Sequence, residues 1–309
     1  MQHHSSFDEL NLEGSWVTIG SFDGVHRGHQ AILTSLVQGA HTAGLPAVVV
    51  TFHPHPAVVL KKLQGPYYLT APEERAELLA ELGVDHVVTL PFTLEIAAQT
   101  AQQFMENLQR AVRLKMMLVG YDFALGRGRE GDIPMLRALG QSMGYRLEVV
   151  SPSSVNGQVV SSTRIRQLVY QGQVSEAAGL LGRWYGLRGK IVHGDGRGRT
   201  IGLPTANLAV PVERVIPARG VYACLAWIHG ELRPAVTNIG VRPTFTANVE
   251  IPRVEAHLLD FNEDLYGMEM RLDFVKFLRP EQRFSSSNTL LDQIRQDILH
   301  AREVLPYVP

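Results

Sequence analysis

Short apolar runs alternate with longer stretches of helical periodicity through the first half of the chain. The runs have the length and the β-branched content of buried strands, and the stretches between them repeat their apolar residues at helical spacing. Strands that alternate with helices form a parallel sheet covered by helices on both faces. The strand candidates are residues 16–19, 47–52, 86–90, 116–119 and 147–150.

Two helices in this half have recognisable beginnings. Thr70 precedes Glu73 by three residues, and Thr100 precedes Gln103 by the same spacing. In such a pair the hydroxyl caps the backbone N–H of the later residue, whose side chain caps the backbone N–H of the earlier one. The spacing therefore predicts helices that begin at Thr70 and Thr100.

The pattern changes near residue 186. Strand-like runs at 221–228, 254–261 and 270–277 are separated by Gly, Pro and Asn without helical periodicity, which is typical of a small antiparallel barrel or sandwich. One amphipathic helix follows the Ser285–Ser287 region. Its apolar face consists of Leu290, Leu291, Ile294, Ile298 and Leu305.

Residues 162–182 form a bridge between these halves. They have the pattern of a helix, a turn at Gly172 and a second helix, so a hinge is expected at about 181–186. We therefore predict two domains, residues 1–182 with an α/β fold and residues 183–309 with an antiparallel β-barrel and a C-terminal helix.

Composition narrows the classes of protein to consider. The chain has 309 residues, 45% of them apolar, and no apolar run approaches the roughly 20 residues of a membrane-spanning helix. Its first twenty residues lack the features of a secretory signal, and Cys224 is the only cysteine, which excludes disulfide frameworks and thiolate zinc clusters. The net charge of -1 gives no general attraction for nucleic acid or membranes. We expect a cytoplasmic protein with small phosphorylated ligands; the sequence gives no indication of its oligomeric state.

The first candidate site lies where the first strand leads into the first helix. Gly20 and Gly24 permit close backbone approach, and the helix start offers N–H groups to an anion. His26 and His29 are three residues apart, so both project from one side of the first helical turn. This arrangement predicts a polyphosphate site. The alternative is a metal site in which His53 and His55 join them, although no carboxylate accompanies those residues at ligand spacing.

Four ordered motifs across about 150 residues resemble the adenylyltransferase domain of the prokaryotic bifunctional FAD synthetases. They are G-S-F-D-G-V-H-R-G-H-Q at 20–30, T-F-H-P-H-P at 51–56, G-Y-D-F with G-R-G at 120–128, and S-S-T-R-I-R at 161–166. The resemblance implies a nucleotidyltransferase-like fold, with His26 and His29 as catalytic residues. It further implies that ATP is held by Gly20, Phe22, Asp23, Gly24, Ser162, Thr163 and Arg166, and that the flavin is bordered by Phe52, Pro54, Asp122 and Phe123.

The second candidate site is a glycine-rich and arginine-rich loop. Residues 194–207 read G-D-G-R-G-R-T-I-G-L-P-T-A-N, and backbone N–H groups with arginines can wrap a polyphosphate. Thr205 and Asn207 supply oxygen atoms suited to Mg²⁺. The expected phosphate ligands are Gly194, Gly196, Arg197, Gly198 and Arg199. The alternative is a mobile hairpin tip.

This loop and the motifs after it resemble riboflavin kinase. The likeness continues through G-V-Y-A at 220–223, N-I-G-V-R-P-T-F at 238–245, V-E-A-H at 254–257 and D-L-Y-G at 264–267. By resemblance, Glu255 accepts the proton of the riboflavin 5′-hydroxyl as a general base.

Together the two likenesses imply a bifunctional enzyme with the substrates riboflavin, FMN and ATP and the cofactor Mg²⁺. Riboflavin is phosphorylated to FMN, and FMN is then adenylylated to FAD with release of pyrophosphate. One departure is visible, because Ala124 and Leu125 stand where the family usually has Arg-Phe. Two alternatives follow: a riboflavin kinase with an impaired adenylyltransferase domain, or a flavin-binding regulator without turnover.

Overall fold

The computed structural model describes residues 1–152, 154–155, 157–194, 203–242 and 251–306. The chain divides into two compact units, Met1–Ser162 and Thr163–Pro309. None of the described helices is both long enough and apolar enough to cross a membrane.

The first unit is built on a six-stranded parallel sheet with the order β1-β4-β3-β2-β5-β6. Helices follow the strands in the alternation that the sequence predicts. The strands are β1 (Gln2–His4), β2 (Ser15–Ile19), β3 (Ala47–Phe52), β4 (His86–Leu90), β5 (Leu114–Gly120) and β6 (Arg146–Val150). The helices are α1 (Arg27–Thr42), α2 (Pro56–Lys61), α3 (Pro72–Glu81), α4 (Leu94–Ala98), α5 (Ala101–Val112) and α6 (Ile133–Met143), and a short hairpin is formed by β7 (Ser154–Val155) and β8 (Gln158–Val159).

Both faces of this sheet are covered. Val48 and Val50 of β3 pack into one apolar cluster with residues of α5, whereas Ala47 and Val49 face the opposite cluster with residues of α1 and α3. Burial on both faces explains why β3 is a continuous apolar run and not an alternating one. The predicted α/β fold is confirmed.

The second unit consists of two helices, a closed barrel and a C-terminal helix. Helices α7 (Ser162–Tyr170) and α8 (Val174–Leu181) precede the barrel, as the sequence predicts. The barrel order is β10-β13-β12-β11-β14-β9, and every pairing in it is antiparallel. Its strands are β9 (Tyr185–Val192), β10 (Ala206–Ala209), β11 (Gly220–Ile228), β12 (Glu231–Arg242), β13 (Ile251–Leu258) and β14 (Glu269–Arg279), and the last helix is α9 (Ser287–Val304).

The last helix is fixed to the barrel by apolar contacts and by ion pairs, of which that of Asp297 is buried. Its half-buried Ile298 and buried Ala301 pack on Val221 and Ala223 of β11. Asp297 is buried and receives hydrogen bonds from the Arg279 guanidinium at 2.7 and 2.8 Å. The predicted barrel with a C-terminal helix is confirmed.

One of the two predicted helix starts is correct. Thr100 and Gln103 form the reciprocal cap at the start of α5. The prediction for α3 is wrong by one residue: its N-cap is Ala71, whose N–H donates to Glu74. The Thr70 hydroxyl is engaged elsewhere, since it donates to Asp23 and accepts from the Gly24 N–H.

The buried phenol of Tyr145 predicts that the stability of the first unit depends on alkaline pH. It is buried and donates to the Leu136 carbonyl oxygen at 2.8 Å, and burial raises the pKa of Tyr145 to about 12. Because an exposed tyrosine ionises near pH 10, this raised pKa contributes stability below pH 10 that is lost as pH rises to about 12.

We therefore expect the first unit to lose about 2 kcal/mol of unfolding free energy between pH 10 and 12 through this group. Tyr145→Phe should diminish the loss, while Tyr121→Phe, at a residue that is 54% exposed, should leave it unchanged. Denaturant unfolding, followed by Trp16 fluorescence in a chain with Trp184 and Trp227 replaced by Phe, measures it. An equal alkaline loss in all three chains would contradict the assignment.

Candidate active sites

The first site lies where the chain reverses its direction of travel across the sheet. From β2 the chain adds β3 and then β4 on one side, and it then crosses to place β5 on the other side of β2. Ligands of open α/β sheets bind at such switch points, outside the carboxyl ends of the strands. The loop after β2 therefore lies between the segments that follow β3 and β5.

The loop after β2 has an unusual backbone. Phe22 and Val25 both have positive φ angles, 48° and 37°, and both side chains are buried. Residues with a Cβ are uncommon there, and each such residue costs about 1–3 kcal/mol unless its surroundings hold it. The Phe22 ring covers Gly20, where an added Cβ would lie 3.1 Å from the ring. Other contacts must therefore stabilise this loop.

His26 and His29 are brought together as the sequence predicts. Their rings stack with centroids 3.6 Å apart, and Nδ1 of His26 accepts the His29 backbone N–H at 3.3 Å as the N-cap of α1. His26 is only 5% exposed, so its ring is fixed. The Phe22 ring meets His29 edge to face at 5.0 Å. The pair presents fixed imidazoles at the start of a sixteen-residue helix.

Asp23 is a buried residue of this loop and is 1% exposed. Its carboxylate accepts the backbone N–H groups of Leu69 and Thr70 at 3.0 to 3.1 Å and the Thr70 hydroxyl at 3.2 Å. The Gly24 N–H also donates to Thr70. These contacts tie the loop to the segment before α3, so Asp23 and Gly24 shape the loop through protein contacts.

Arg75 is a residue of this site that the sequence analysis did not identify. Its side chain in α3 is 1% exposed, and it donates to the carbonyl oxygens of Ser21 at 2.7 Å and Phe52 at 3.3 Å. The sequence does not distinguish Arg75 from its neighbours, because an arginine in a helix rich in charged residues is usually exposed to solvent.

The predicted flavin residues lie on both sides of the loop, after β3 and β5. Phe52 ends β3, with its ring 5.5 Å from that of Phe92, and the exposed Pro54 follows a cis peptide bond. After β5, Asp122 is exposed and Phe123 half-buried; the Asp122 carbonyl oxygen accepts from Arg129 at 2.8 Å. The predicted flavin residues that follow β3 and those that follow β5 therefore all lie at the carboxyl edge of the sheet.

The fourth motif begins at Ser162, whose hydroxyl donates to the Asp23 carbonyl oxygen at 2.8 Å. Ser162 therefore contacts the loop after β2. Thr163 is exposed and Arg166 buried in α7, both counted with the second unit.

The histidines do not assemble a metal site in the part of the chain that the structure describes. No group of three or more His, Cys, Asp or Glu side chains there is placed to hold a metal ion. Nδ1 of His55 instead caps α2 by accepting the Ala57 N–H at 3.0 Å.

The second site is a polar row across three barrel strands. Asn207 of β10 is directly opposite Glu255 of β13, which is directly opposite Asn238 of β12. Opposed residues in an antiparallel ladder share a face. Their neighbours on β13, Val254 and Ala256, are buried, so the row lies on the outer face of the barrel. Sequence analysis did not assign a role to the Asn238 side chain.

Glu255 is partly exposed and accepts a hydrogen bond from Arg253 at 3.1 Å. Asn238 donates to Glu281 at 3.3 Å. The Glu255 carboxylate is therefore in contact with Arg253 and still partly accessible to solvent.

Thr205 and Asn207 border a cleft of about 390 Å³ with Gly194 and Tyr266. A Cβ on Gly194 would lie 2.2 Å from the Asn207 amide nitrogen, so only glycine allows this approach. The Tyr266 ring stacks on His193 at 3.7 Å. Glu255 is not among the residues that line the cleft. The predicted phosphate ligands Gly196, Arg197, Gly198 and Arg199 lie outside the described residues.

Two family models match the chain, one for each candidate site. The model described as FAD synthetase matches residues 8–164, and the model described as riboflavin kinase matches residues 181–305.

Curated relatives match nearly the full length. The bifunctional riboflavin kinase/FMN adenylyltransferase of Escherichia coli strain K12 is 42% identical, over 94% of this chain and 93% of that protein. The protein of the same name from Listeria monocytogenes is 35% identical, over 96% of this chain and 94% of that protein.

Among solved structures, a protein described as a macrolide-efflux protein from Streptococcus pneumoniae has a TM-score of 0.88 and 32% identity, covering 97% of this chain and 98% of that one. The matching models and the curated relatives agree in name and in span. The chain belongs to the bifunctional riboflavin kinase/FMN adenylyltransferase family.

Proposed function

We propose that this chain makes FAD from riboflavin in two steps, each consuming ATP. The barrel transfers the γ-phosphate of ATP to riboflavin and releases ADP, and the α/β unit joins AMP to FMN and releases pyrophosphate. The observation that carries the proposal is the presence of both family domains in one chain, each containing one of the two candidate sites.

In the kinase step the barrel acts mainly through Glu255. Its carboxylate takes the proton of the riboflavin 5′-hydroxyl as the oxygen attacks the γ-phosphate, and the bond between the β–γ bridging oxygen and the γ-phosphorus breaks. Its contact with Arg253 restricts the carboxylate's position.

Mg²⁺ fits the donors beside this carboxylate. Thr205 and Asn207 offer neutral oxygen atoms, which Mg²⁺ accepts together with phosphate oxygens and water. Both residues line the cleft, and Gly194 lies against the Asn207 amide. They would hold the ion there, and the ion would help to bind the phosphates of ATP. A divalent ion held there would offset negative charge on the transferring phosphate.

In the adenylyl step a phosphate oxygen of FMN attacks the α-phosphorus of ATP, and pyrophosphate leaves. His26 and His29 stabilise the charge that develops on the phosphates, since both rings are held in place before substrate arrives. Gly20, Gly24 and Ser162 are further ATP-binding candidates in this unit, and the resemblance assigns the same role to Thr163 and Arg166. Phe52, Pro54, Asp122 and Phe123 border the flavin.

A riboflavin kinase with an impaired adenylyltransferase is the second candidate, because Ala124 and Leu125 depart from the family motif. Leu125 is joined to Gly131 by backbone hydrogen bonds at 2.9 and 3.1 Å. Backbone pairing does not require a particular side chain, so this turn tolerates the departure. An assay with FMN and ATP distinguishes these two candidate functions. The bifunctional enzyme releases pyrophosphate and forms FAD, whereas the enzyme with an impaired adenylyltransferase leaves FMN unchanged.

The two activities should be separable in fragments. Helix α8 packs on the barrel, because Ser175 donates to the Val275 carbonyl oxygen at 2.7 Å and α8 contacts β14. A fragment of residues 163–309 should therefore make FMN but no FAD, at a rate similar to that of the whole chain.

The fragment 183–309, cut at the boundary predicted from sequence, should also make only FMN but unfold at lower temperature. FMN formation and thermal unfolding of both fragments, measured beside the intact chain, test this. If neither fragment makes FMN when soluble, the second unit does not contain a complete kinase.

A further inference from the structure

Arg75 is a buried cation with an unusual set of contacts. Its Nε has no hydrogen-bond partner among the described residues, while its two terminal nitrogens both donate to backbone carbonyl oxygens. Burial lowers the pKa of Arg75, and the nearby Asp23 carboxylate opposes that effect. A buried charge is costly unless specific contacts compensate it. The burial of Arg75 is therefore best explained by the two segments that its guanidinium joins.

The two carbonyl oxygens belong to different parts of the proposed adenylyltransferase site. Ser21 is in the loop that presents His26 and His29, and its oxygen also accepts the Thr51 hydroxyl at 3.0 Å. Phe52 ends β3, immediately before the predicted flavin segment. One planar guanidinium thus joins the phosphate side of the site to the flavin side, a task suited to its fixed fork of donors.

The loop that Arg75 holds requires such support. Phe22, next to Ser21, and Val25 both have positive φ angles, and such residues persist only where surrounding contacts over-determine them. The contacts of Asp23 with Leu69 and Thr70 tie the loop to the chain before α3. Arg75, one turn into α3, supplies the second attachment.

We propose that Arg75 is a positioning residue for adenylyl transfer, an inference that rests on the proposed function of the first unit. Its guanidinium fixes the loop after β2 relative to the end of β3, and so sets the distance between the bound ATP and the bound FMN. Arg75 itself contacts neither substrate.

This role predicts a particular division of kinetic effects. Without Arg75 the sheet still holds β2 and β3 side by side, so each half of the site binds its own substrate. The alignment of the attacking oxygen with the α-phosphorus suffers instead, and a misplacement of about 1 Å can cost about 10²-fold in rate. The loss therefore falls on kcat and not on KM.

Arg75→Met is the direct test, measured as pyrophosphate release from supplied FMN and ATP, since the kinase step cannot use FMN. We expect kcat to fall at least tenfold while the KM values of FMN and ATP change less than about threefold. Arg75→Lys should recover only part of the rate, because its ammonium group keeps the charge beside Asp23 and can donate to one carbonyl oxygen but lacks the fork that joins both.

Tyr145→Phe is the matched control, as it removes another buried hydrogen bond to a backbone carbonyl oxygen in the same unit. It should lower stability without lowering kcat. Riboflavin phosphorylation in each variant serves as an internal standard for the amount of folded chain. If Arg75→Met does not fold, Arg75→Gln is measured by the same criteria.

A normal kcat in the folded variant, a loss confined to KM, or a lysine variant no better than methionine would overturn the proposal. A wild-type chain that forms no FAD would instead overturn the proposed function.

Discussion

Glu255→Gln should reduce the kcat of FMN formation by about 10² to 10⁴, the usual contribution of a general base. Glutamine keeps the size and hydrogen-bonding reach of glutamate but cannot take the hydroxyl proton. The KM values for riboflavin and ATP should change little, because Thr205, Asn207 and the rest of the cleft are unchanged. The measurement is the sum of FMN and FAD formed from riboflavin, together with the rate at which supplied FMN becomes FAD, which should be unchanged.

Thr205→Ala and Asn207→Ala are the matched comparisons for this variant. They should raise the KM of ATP with Mg²⁺, and excess Mg²⁺ should restore part of the activity, because these residues supply oxygen atoms to the ion. Glu255→Gln should show no such rescue. If it turns over normally at saturation and only binds Mg²⁺ and ATP poorly, Glu255 belongs to the metal site and is not the base.

His29→Ala should reduce FAD formation by about two orders of magnitude, while FMN formation continues. The expected size is that of removing one charge-stabilising group from a transition state. The ring stacks on His26 and touches Phe22, and all three residues lie in the first unit. Product analysis from riboflavin should therefore show FMN accumulating without conversion.

His41→Ala is the control for His29→Ala, because His41 lies in the last turn of the same helix and pairs with Asp85 at 2.8 Å. It should leave both activities close to those of the wild type. Equal loss of FMN and FAD formation in His29→Ala would indicate a structural role for this residue.

The sequence predicts the fold where the chain is locally regular. Strands such as β3 have strong apolar runs, and α5 has a complete reciprocal cap at Thr100. By contrast, the three residues of β1 are all polar, and β1 is a strand only because its backbone pairs with β4. The strand β12 was missed because Pro234 and Gly240 interrupt its apolar pattern. Inside a closed barrel, pairing with β11 and β13 stabilises such a segment regardless of its own propensity.

The residues of the candidate sites also differ in how far the sequence can predict them. Residues in contiguous motifs, such as His26, His29 and Glu255, can be proposed from sequence, because their neighbours carry the resemblance. Arg75 and Asn238 instead form hydrogen bonds with residues far along the chain, Ser21 and Glu281. Neither spacing nor composition reports such contacts, so only the three-dimensional structure reveals them.

A single time course tests the central claim of two successive activities in one chain. The intact protein is incubated with riboflavin, ATP and Mg²⁺, and riboflavin, FMN and FAD are separated and quantified as the reaction proceeds. The account predicts that FMN rises first and then falls as FAD accumulates, with ADP and pyrophosphate released in step with the two products. FMN that accumulates without any FAD, or riboflavin that stays unchanged, would contradict it.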